Sequence, residues 1–162
     1  MKAKNTKTWP RLRPATNKDS KKVVDMVFGI LGEYGLEPDP DSTDTDLSDI
    51  RHSYFERGGT FYVLEDRDGS IIGSYGLYRL APQTCELRKM YLTKTCRGRG
   101  LGKLLLDSAL SEAKQLGYKT VTLETASVLK EAIALYKSYG FREFHPEHLS
   151  PRCDQAFVLE LE

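Results

Sequence analysis

The run Met90-Tyr91-Leu92-Thr93-Lys94-Thr95-Cys96-Arg97-Gly98-Arg99-Gly100-Leu101-Gly102-Lys103 joins a strand-like segment to an amphipathic helix through a turn rich in glycine and cations. Leu101, Leu104, Leu105, Ala109, Ala113 and Leu116 share one face of the helix predicted over residues 98–117. Such a turn gathers free backbone N–H groups at a helix N-terminus, where the dipole also favours an anion. Glycines let a phosphate approach the backbone without Cβ atoms in the way. Arg97, Arg99 and Lys103 add positive charge. The plain alternative is a tight turn with solvated basic residues. Two familiar phosphate loops do not fit. A P-loop would need Gly at position 97 and Ser or Thr at 104, which are Arg and Leu. A dinucleotide fingerprint from Gly98 would need Gly or Ala at 103, which is Lys.

Upstream, residues 11–15 read as an edge strand containing Pro14. A helix follows, with Asn17 as N-cap, Val23, Val27, Ile30, Leu31 and Tyr34 at helical spacing, and Gly35 as its stop. A second helix is predicted from Asp44 or Thr45 to Gly58-Gly59, with Leu47, Ile50 and Tyr54 inward. Residues 60–65 and 71–80 form a hairpin around Asp68-Gly69, and residues 84–93 a third strand. Downstream, residues 120–125 alternate as a strand. Residues 128–139 place Val128, Ala132, Leu135, Tyr136 and Tyr139 on one helical stripe closed by Gly140. Residues 141–144 and 156–161 are the last strands. The order β-α-α-β-β-β-α-β-α-β-β describes a mixed α/β domain with a largely antiparallel first half.

At 162 residues and 18.4 kDa, with 40% hydrophobic residues, the chain reads as one domain over 9–162 behind a loose lead-in at 1–8. Lys plus Arg is 24 and Asp plus Glu 23, a balance that excludes nucleic-acid binding by bulk charge. No apolar run reaches the ~20 residues of a membrane span, and the polar start lacks the apolar core of a secretory signal. Cys85, Cys96 and Cys153 form no C-x-x-C pair and read as structural thiols of a reduced, cytoplasmic protein. Cys and His lack zinc-finger or ribbon spacing, and no metal is expected.

Arg97, Gly100 and Gly102 after Met90-Tyr91-Leu92 resemble the acetyl-CoA signature of the GNAT superfamily of N-acetyltransferases. Ala132-Ile133-Ala134-Leu135-Tyr136, closed by Gly140-Phe141, looks like that family's later helix. The resemblance is carried by residues 60–144 and by the order of elements. It implies an α/β fold with a mixed, mostly antiparallel sheet of about seven strands, four flanking helices, and a parallel pair, 84–93 and 120–125, that splays apart. It implies acetyl-CoA in that gap, its pantetheine arm along Met90, Tyr91 and Leu92. Arg97, Gly98, Arg99, Gly100, Leu101, Gly102 and Lys103 would take the pyrophosphate without a metal. The reaction implied is direct attack of an amine on the thioester, with the backbone N–H of Met90 or a neighbour at the oxyanion.

Tyr136 matches the family's tyrosine that serves the leaving thiolate; it also lies on the apolar stripe, as a core aromatic would. Glu124 stands twelve positions before Tyr136, a spacing similar to the ribosomal-protein alanine N-acetyltransferase branch, where that glutamate is read as base. Glu86 is the rival base, and strand parity puts it on one face with Arg88, Met90 and Leu92. The plain alternatives pair Glu86 with Arg88 or Lys89 and leave Glu124 solvated at the sheet end. One position departs from the pattern: Leu129 stands where some members have a cofactor-binding Asn, and Ser127 either substitutes or caps the helix.

The acceptor pocket of the family is built by the first two helices, their connection and the last hairpin. Here the connection, residues 37–49, holds Glu37, Asp39, Asp41, Asp44, Asp46 and Asp49 without a Lys or Arg. It reads either as a rim that attracts cationic amines or as a solvated loop with capping aspartates. In the last hairpin, Arg152 is a candidate for a substrate carboxylate, and His145 and His148 either line the pocket or lie on the surface. Tyr34 and Arg88 complete the candidate substrate contacts. The expected partner is a small-molecule amine, with no nucleic acid and no membrane, on a monomer or homodimer. A protein N-terminal or lysine acetyltransferase and a non-catalytic acyl-CoA sensor are the rival readings.

Overall fold

The computed structural model describes residues 8–162; the expected lead-in lies outside them except for Thr8. Seven strands form one sheet: β1 (Arg11–Pro14), β2 (Thr60–Glu65), β3 (Ile71–Ala81), β4 (Thr84–Leu92), β5 (Thr120–Thr125), β6 (Arg142–Phe144) and β7 (Gln155–Glu160). Four helices flank it: α1 (Ser20–Glu33), the single turn α2 (Ile50–Ser53), α3 (Leu101–Gln115) and α4 (Lys130–Ser138). The strand order is β1-β2-β3-β4-β5-β7-β6. Every neighbouring pair is antiparallel except β4 and β5. This is the mixed sheet with a parallel pair that the sequence implies, and β1 is an edge strand, where Pro14 costs no ladder bond.

Strand alternation divides the core between the two faces of the sheet. Phe61 and Val63 of β2 point to one face, where Val27, Leu31, Leu47, Ile50 and Tyr54 bury them under α1 and the segment that follows it. Leu64, Leu77, Leu87, Val121 and Leu123 point to the other, against Leu105, Leu106, Ala109 and Ala113 of α3.

Several local expectations are corrected. Asn17 does not cap the first helix: a 3-10 turn, Asn17–Asp19, leads into α1, Thr16 is the N-cap of that turn and forms a capping box with Asp19, and the Asn17 side chain accepts from the Arg51 N–H instead. The second helix is broken into 3-10 turns at Thr45–Ser48 and Phe55–Arg57 around α2, because Asp49 leaves the helical region (φ −145°, ψ 81°) to cap the His52 N–H. Its inward face, Leu47, Ile50 and Tyr54, is nonetheless fully buried. On α3 the buried leucines are Leu105 and Leu106, whereas Leu104 and Leu116 are exposed. Ser127 caps no helix; its N–H and hydroxyl both donate to Asp154.

The parity expected along β4 also fails. Between the pairs Ser74–Tyr91 and Gly76–Arg88, two residues of β4 stand opposite Tyr75. The extra residue is a bulge at Lys89, with φ of 54°, and the Ser74 hydroxyl donates to its carbonyl at 2.7 Å. The bulge reverses which side chains face which layer. Glu86 and Arg88 share a face, but Met90 and Leu92 turn to the α3 side and Tyr91 to the α1 side.

Candidate active site

β4 and β5 are paired at Thr84–Thr120, Cys85–Val121 and Glu86–Thr122, and then separate. β4 stays with β3 as far as Leu92, and β5 stays with β7 as far as Thr125. The inner edges beyond Glu86 and Thr122 therefore carry backbone groups with no strand partner among the described residues. The bulge at Lys89 adds twist on the β4 side of this fork. A cavity of about 500 Å3 opens from it, bounded by the start of α3, the inner face of α4, the loop after α1 and the loop before β7.

At one end of the cavity lies the glycine turn. Gly98 and Gly100 have φ of 77° and 76°, the left-handed region that a side chain disfavours. The first bond of α3 runs from the Leu104 N–H to the Gly100 carbonyl at 3.1 Å. The N–H groups of residues 98–103 thus donate to no protein acceptor among the described residues. Arg97 is held in place: Nε donates to the Leu92 carbonyl (3.0 Å), Nη1 to Glu33 (2.9 Å), and the guanidinium lies 5.4 Å from the Tyr34 ring centroid. Arg99 and Lys103 are exposed. A Cβ on Gly102 would sit 3.6 Å from Leu135, so the turn is in close packing with α4. Unpaired amides, two left-handed glycines and nearby cations fit a pyrophosphate.

Tyr136 lines the cavity from α4. Its ring packs against Phe141, centroids 5.7 Å apart, and the residue is 5% exposed. Burial first, and the Tyr91 hydroxyl second, push its pKa well above the ordinary tyrosine value. It is therefore a protonated donor at neutral pH. The core and site readings of Tyr136 are geometrically compatible. Glu124 reaches the cavity from β5, and its Oε1 accepts the Ser150 N–H at 2.8 Å. Cys153 also lines the cavity; burial, then the Glu124 charge, push its thiol up to about 11, so it stays protonated.

Glu86 also faces the cavity but is bound to Arg88 Nε. The Arg88 guanidinium lies 3.7 Å from the Tyr78 ring centroid. Burial works against its charge, but Glu86 outweighs burial and raises its pKa.

The acidic segment and Arg152 meet in one buried cluster. Arg152 gives both terminal nitrogens to Asp44, at 2.8 and 2.7 Å. Lys89 lies 3.1 Å from Asp44 and 3.2 Å from Asp46. The Tyr54 hydroxyl donates to Asp46. Burial alone would raise the Asp44 carboxyl; the hydrogen bonds from Arg152 and the Asp39 N–H, with the charge of Lys89, bring it down to about 2. Asp44 and Asp46 thus form neither a solvated loop nor an open rim. His145 and His148 are exposed and stand outside the cavity lining. Sequence reasoning offers Lys89 only as a partner for Glu86 and misses its place in this cluster, although two adjacent cations in an alternating strand, Arg88 and Lys89, are a visible break in pattern.

A family model described as the acetyltransferase (GNAT) family matches residues 24–141. The chain is 36% identical over 137 residues to an uncharacterised N-acetyltransferase of Escherichia coli strain K12, covering 82% of this chain and 81% of that protein. It is similar to the solved structure of a GNAT-family acetyltransferase from Staphylococcus aureus Mu50, with a TM-score of 0.88, 24% identity, and coverage of 94% of this chain and 99% of that one. It is also similar to a putative acetyltransferase from Salmonella typhimurium solved with its cofactor acetyl-CoA, with a TM-score of 0.72, 20% identity and 94% of each chain covered.

Proposed function

Since the chain belongs to the acetyltransferase (GNAT) family, and is thereby an acetyl-CoA-dependent acyltransferase, we propose that it moves the acetyl group directly onto a primary amine of a small molecule: a polyamine, an amino acid or an aminoglycoside-like acceptor. The observation that carries this reading is the fork. β4 loses its neighbour after Glu86, next to a helix start with unpaired amides and a protonated tyrosine in the gap.

The amides of residues 98–103, with Arg99 and Lys103, would bind the pyrophosphate of acetyl-CoA. The unpaired edge of β4 over 87–92 would take the amides of the pantetheine arm as an added strand. An acceptor amine with a pKa near ~10.4 must lose a proton before it attacks. Glu124 is the better base, because its one protein hydrogen bond comes from a neutral N–H, whereas Glu86 is bound to a guanidinium. Tyr136 donates a hydrogen bond to the departing thiolate and completes the proton transfer late. The protonated state of Cys153 supports direct transfer over an acyl-cysteine route.

The test is thiol release from acetyl-CoA by the purified chain, with a panel of small amines, lysine peptides and peptide N-termini. Small amines should be consumed fastest. Turnover confined to peptides would replace the reading with a protein acetyltransferase, and calorimetric binding without turnover would replace it with a sensor. Tyr136→Phe should lower kcat by about tenfold to a hundredfold while keeping acetyl-CoA affinity; an equal kcat would remove Tyr136 from the chemistry. Glu124→Gln should lower kcat near neutral pH more than Glu86→Gln does, and the loss should shrink at alkaline pH, where the amine sheds its proton without a base.

A further inference from the structure

Three carboxylates, Glu86 in the cavity lining and Asp44 and Asp46 buried beside the lining residues Thr43 and Thr45, are already answered by cations of the chain itself. Asp44 takes Arg152 and Lys89, Asp46 takes Lys89, and Glu86 takes Arg88. Glu124 forms no ion pair among the described residues and accepts only the Ser150 N–H. The other lining carboxylate without an ion pair among the described residues is Glu131, in the first turn of α4. On the sheet face that Glu86, Arg88 and Glu124 share, a second ammonium on a polyamine would find no free carboxylate apart from the one that serves the reacting amine.

Arg88 differs from the other two cations. The Lys89 and Arg152 side chains are 4% and 11% exposed and their charged ends are engaged; Arg88 is 27% exposed. Only its Nε is used, by Glu86. One face of its guanidinium is covered by Tyr78. Its two terminal nitrogens bond no protein acceptor among the described residues, and neither is sealed from solvent. A guanidinium clamped at Nε and on one face, with a free terminal fork, is preorganised for a carboxylate.

The register sets this fork opposite Glu124. Glu86 and Thr122 are the last paired residues of β4 and β5, and side chains directly opposite in a parallel pair share a face. Arg88 and Glu124 each lie two residues further along, ahead of the bulge, so both stand on that same face across the opening, and both line the cavity.

We infer that the acceptor is an amino acid, its carboxylate bound by the terminal nitrogens of Arg88 and its amine turned toward Glu124. This rests on the acetyl-transfer reading above and narrows it. Arg88 is then the residue that sets specificity, and Glu86 and Tyr78 are its positioning residues.

The experiment compares matched acceptors on the wild-type chain: amino acids, the same amino acids as amides, and polyamines, with thiol release and product mass as readouts. The amino acids should exceed their amides in kcat/KM by about tenfold to a hundredfold, mostly through KM. Arg88→Met should bring that ratio close to one. Arg88→Lys, which keeps the charge but not the planar fork, should retain part of it. Amides or polyamines used as well as amino acids by the wild-type chain would overturn this inference and leave the acetyltransferase reading intact. A panel in which no amine is consumed would overturn that reading, and this inference with it. If Arg88→Met does not fold, as judged by its melting curve, the wild-type ratio and Arg88→Lys still decide.

Discussion

The glycine turn at 98–103 and the acidic segment at 37–49 both flank the cavity, and the chain treats their polar groups in opposite ways. In the turn, the backbone donors have no protein acceptor among the described residues, and two glycines hold the left-handed path that exposes them. In the acidic segment, Asp44 and Asp46 are buried and neutralised by Lys89 from β4 and Arg152 from the last loop. Polar groups left unpaired mark where a ligand can bind; charges that are paired hold elements together and attract little from solution.

The strongest way to break this contrast is to unpair the cluster. Asp44→Ala leaves Arg152 and Lys89 buried without their shared partner, and should cost about 3–5 kcal/mol in urea unfolding. A loss under ~1 kcal/mol, the level of an exposed pair, would mean that the cluster is loose and the rim reading stands. Acid titration probes the same cluster more gently. The Asp44 carboxyl lies at about 2 in the folded chain against 3.8 ordinarily. Its contribution, about 2 kcal/mol, is complete above roughly pH 4 and is lost as the pH falls toward 2. Asp44→Asn should therefore be less stable at neutral pH and show a shallower decline between pH 4 and 2. An unchanged acid slope would assign the decline to other carboxylates, Asp19 first among them.

The glycine turn was legible in the sequence because its chemistry is local: three glycines and three cations between a strand and a helix describe it without any tertiary knowledge. The cluster was not, because its bond from Arg152 to Asp44 spans 108 positions. Two clues of opposite sign, an acidic run suited to cations and an arginine suited to carboxylates, turned out to be each other's partners. The second helix shows a different limit. The spacing of Leu47, Ile50 and Tyr54 reveals an inward face, but periodicity cannot tell one helix from three short turns interrupted at Asp49. In Leu104-Leu105-Leu106 the pattern offers neighbouring faces, and packing against the sheet selects Leu105 and Leu106. The bulge at Lys89 has no propensity signal, since only tertiary partners hold a lysine at positive φ. That one residue reversed the side-chain parity of Met90 and Leu92.

From the side of the turn, the contrast is sharpened by smaller effects. Gly100→Ala forces a Cβ into a left-handed position with φ of 76°, at a cost of ~1 kcal/mol in stability. Nothing lies within 4 Å of that Cβ, so the cost is conformational rather than steric. The variant should also bind acetyl-CoA more weakly, because relaxation of the strain re-aims the amides. Gly102→Ala, in ordinary contact with Leu135 and helical, should fold like the wild type.

Arg99 and Lys103 give the smallest effect and the cleanest separation of the two regions. Both are exposed and neither forms an ion pair among the described residues, so replacing either with Ala should leave urea unfolding unchanged. Their charge still acts on an anion arriving at the turn. Each variant should raise the KM for acetyl-CoA several-fold at low ionic strength, and the difference should fade toward 1 M salt, where the screening length is about 3 Å. The double variant should do more than either alone, again without loss of stability. A salt-independent rise in KM would mean that these side chains make short, desolvated contacts with the cofactor. An unchanged KM at low salt would leave the amides as the whole of the phosphate site, with the two cations as ordinary solvated residues.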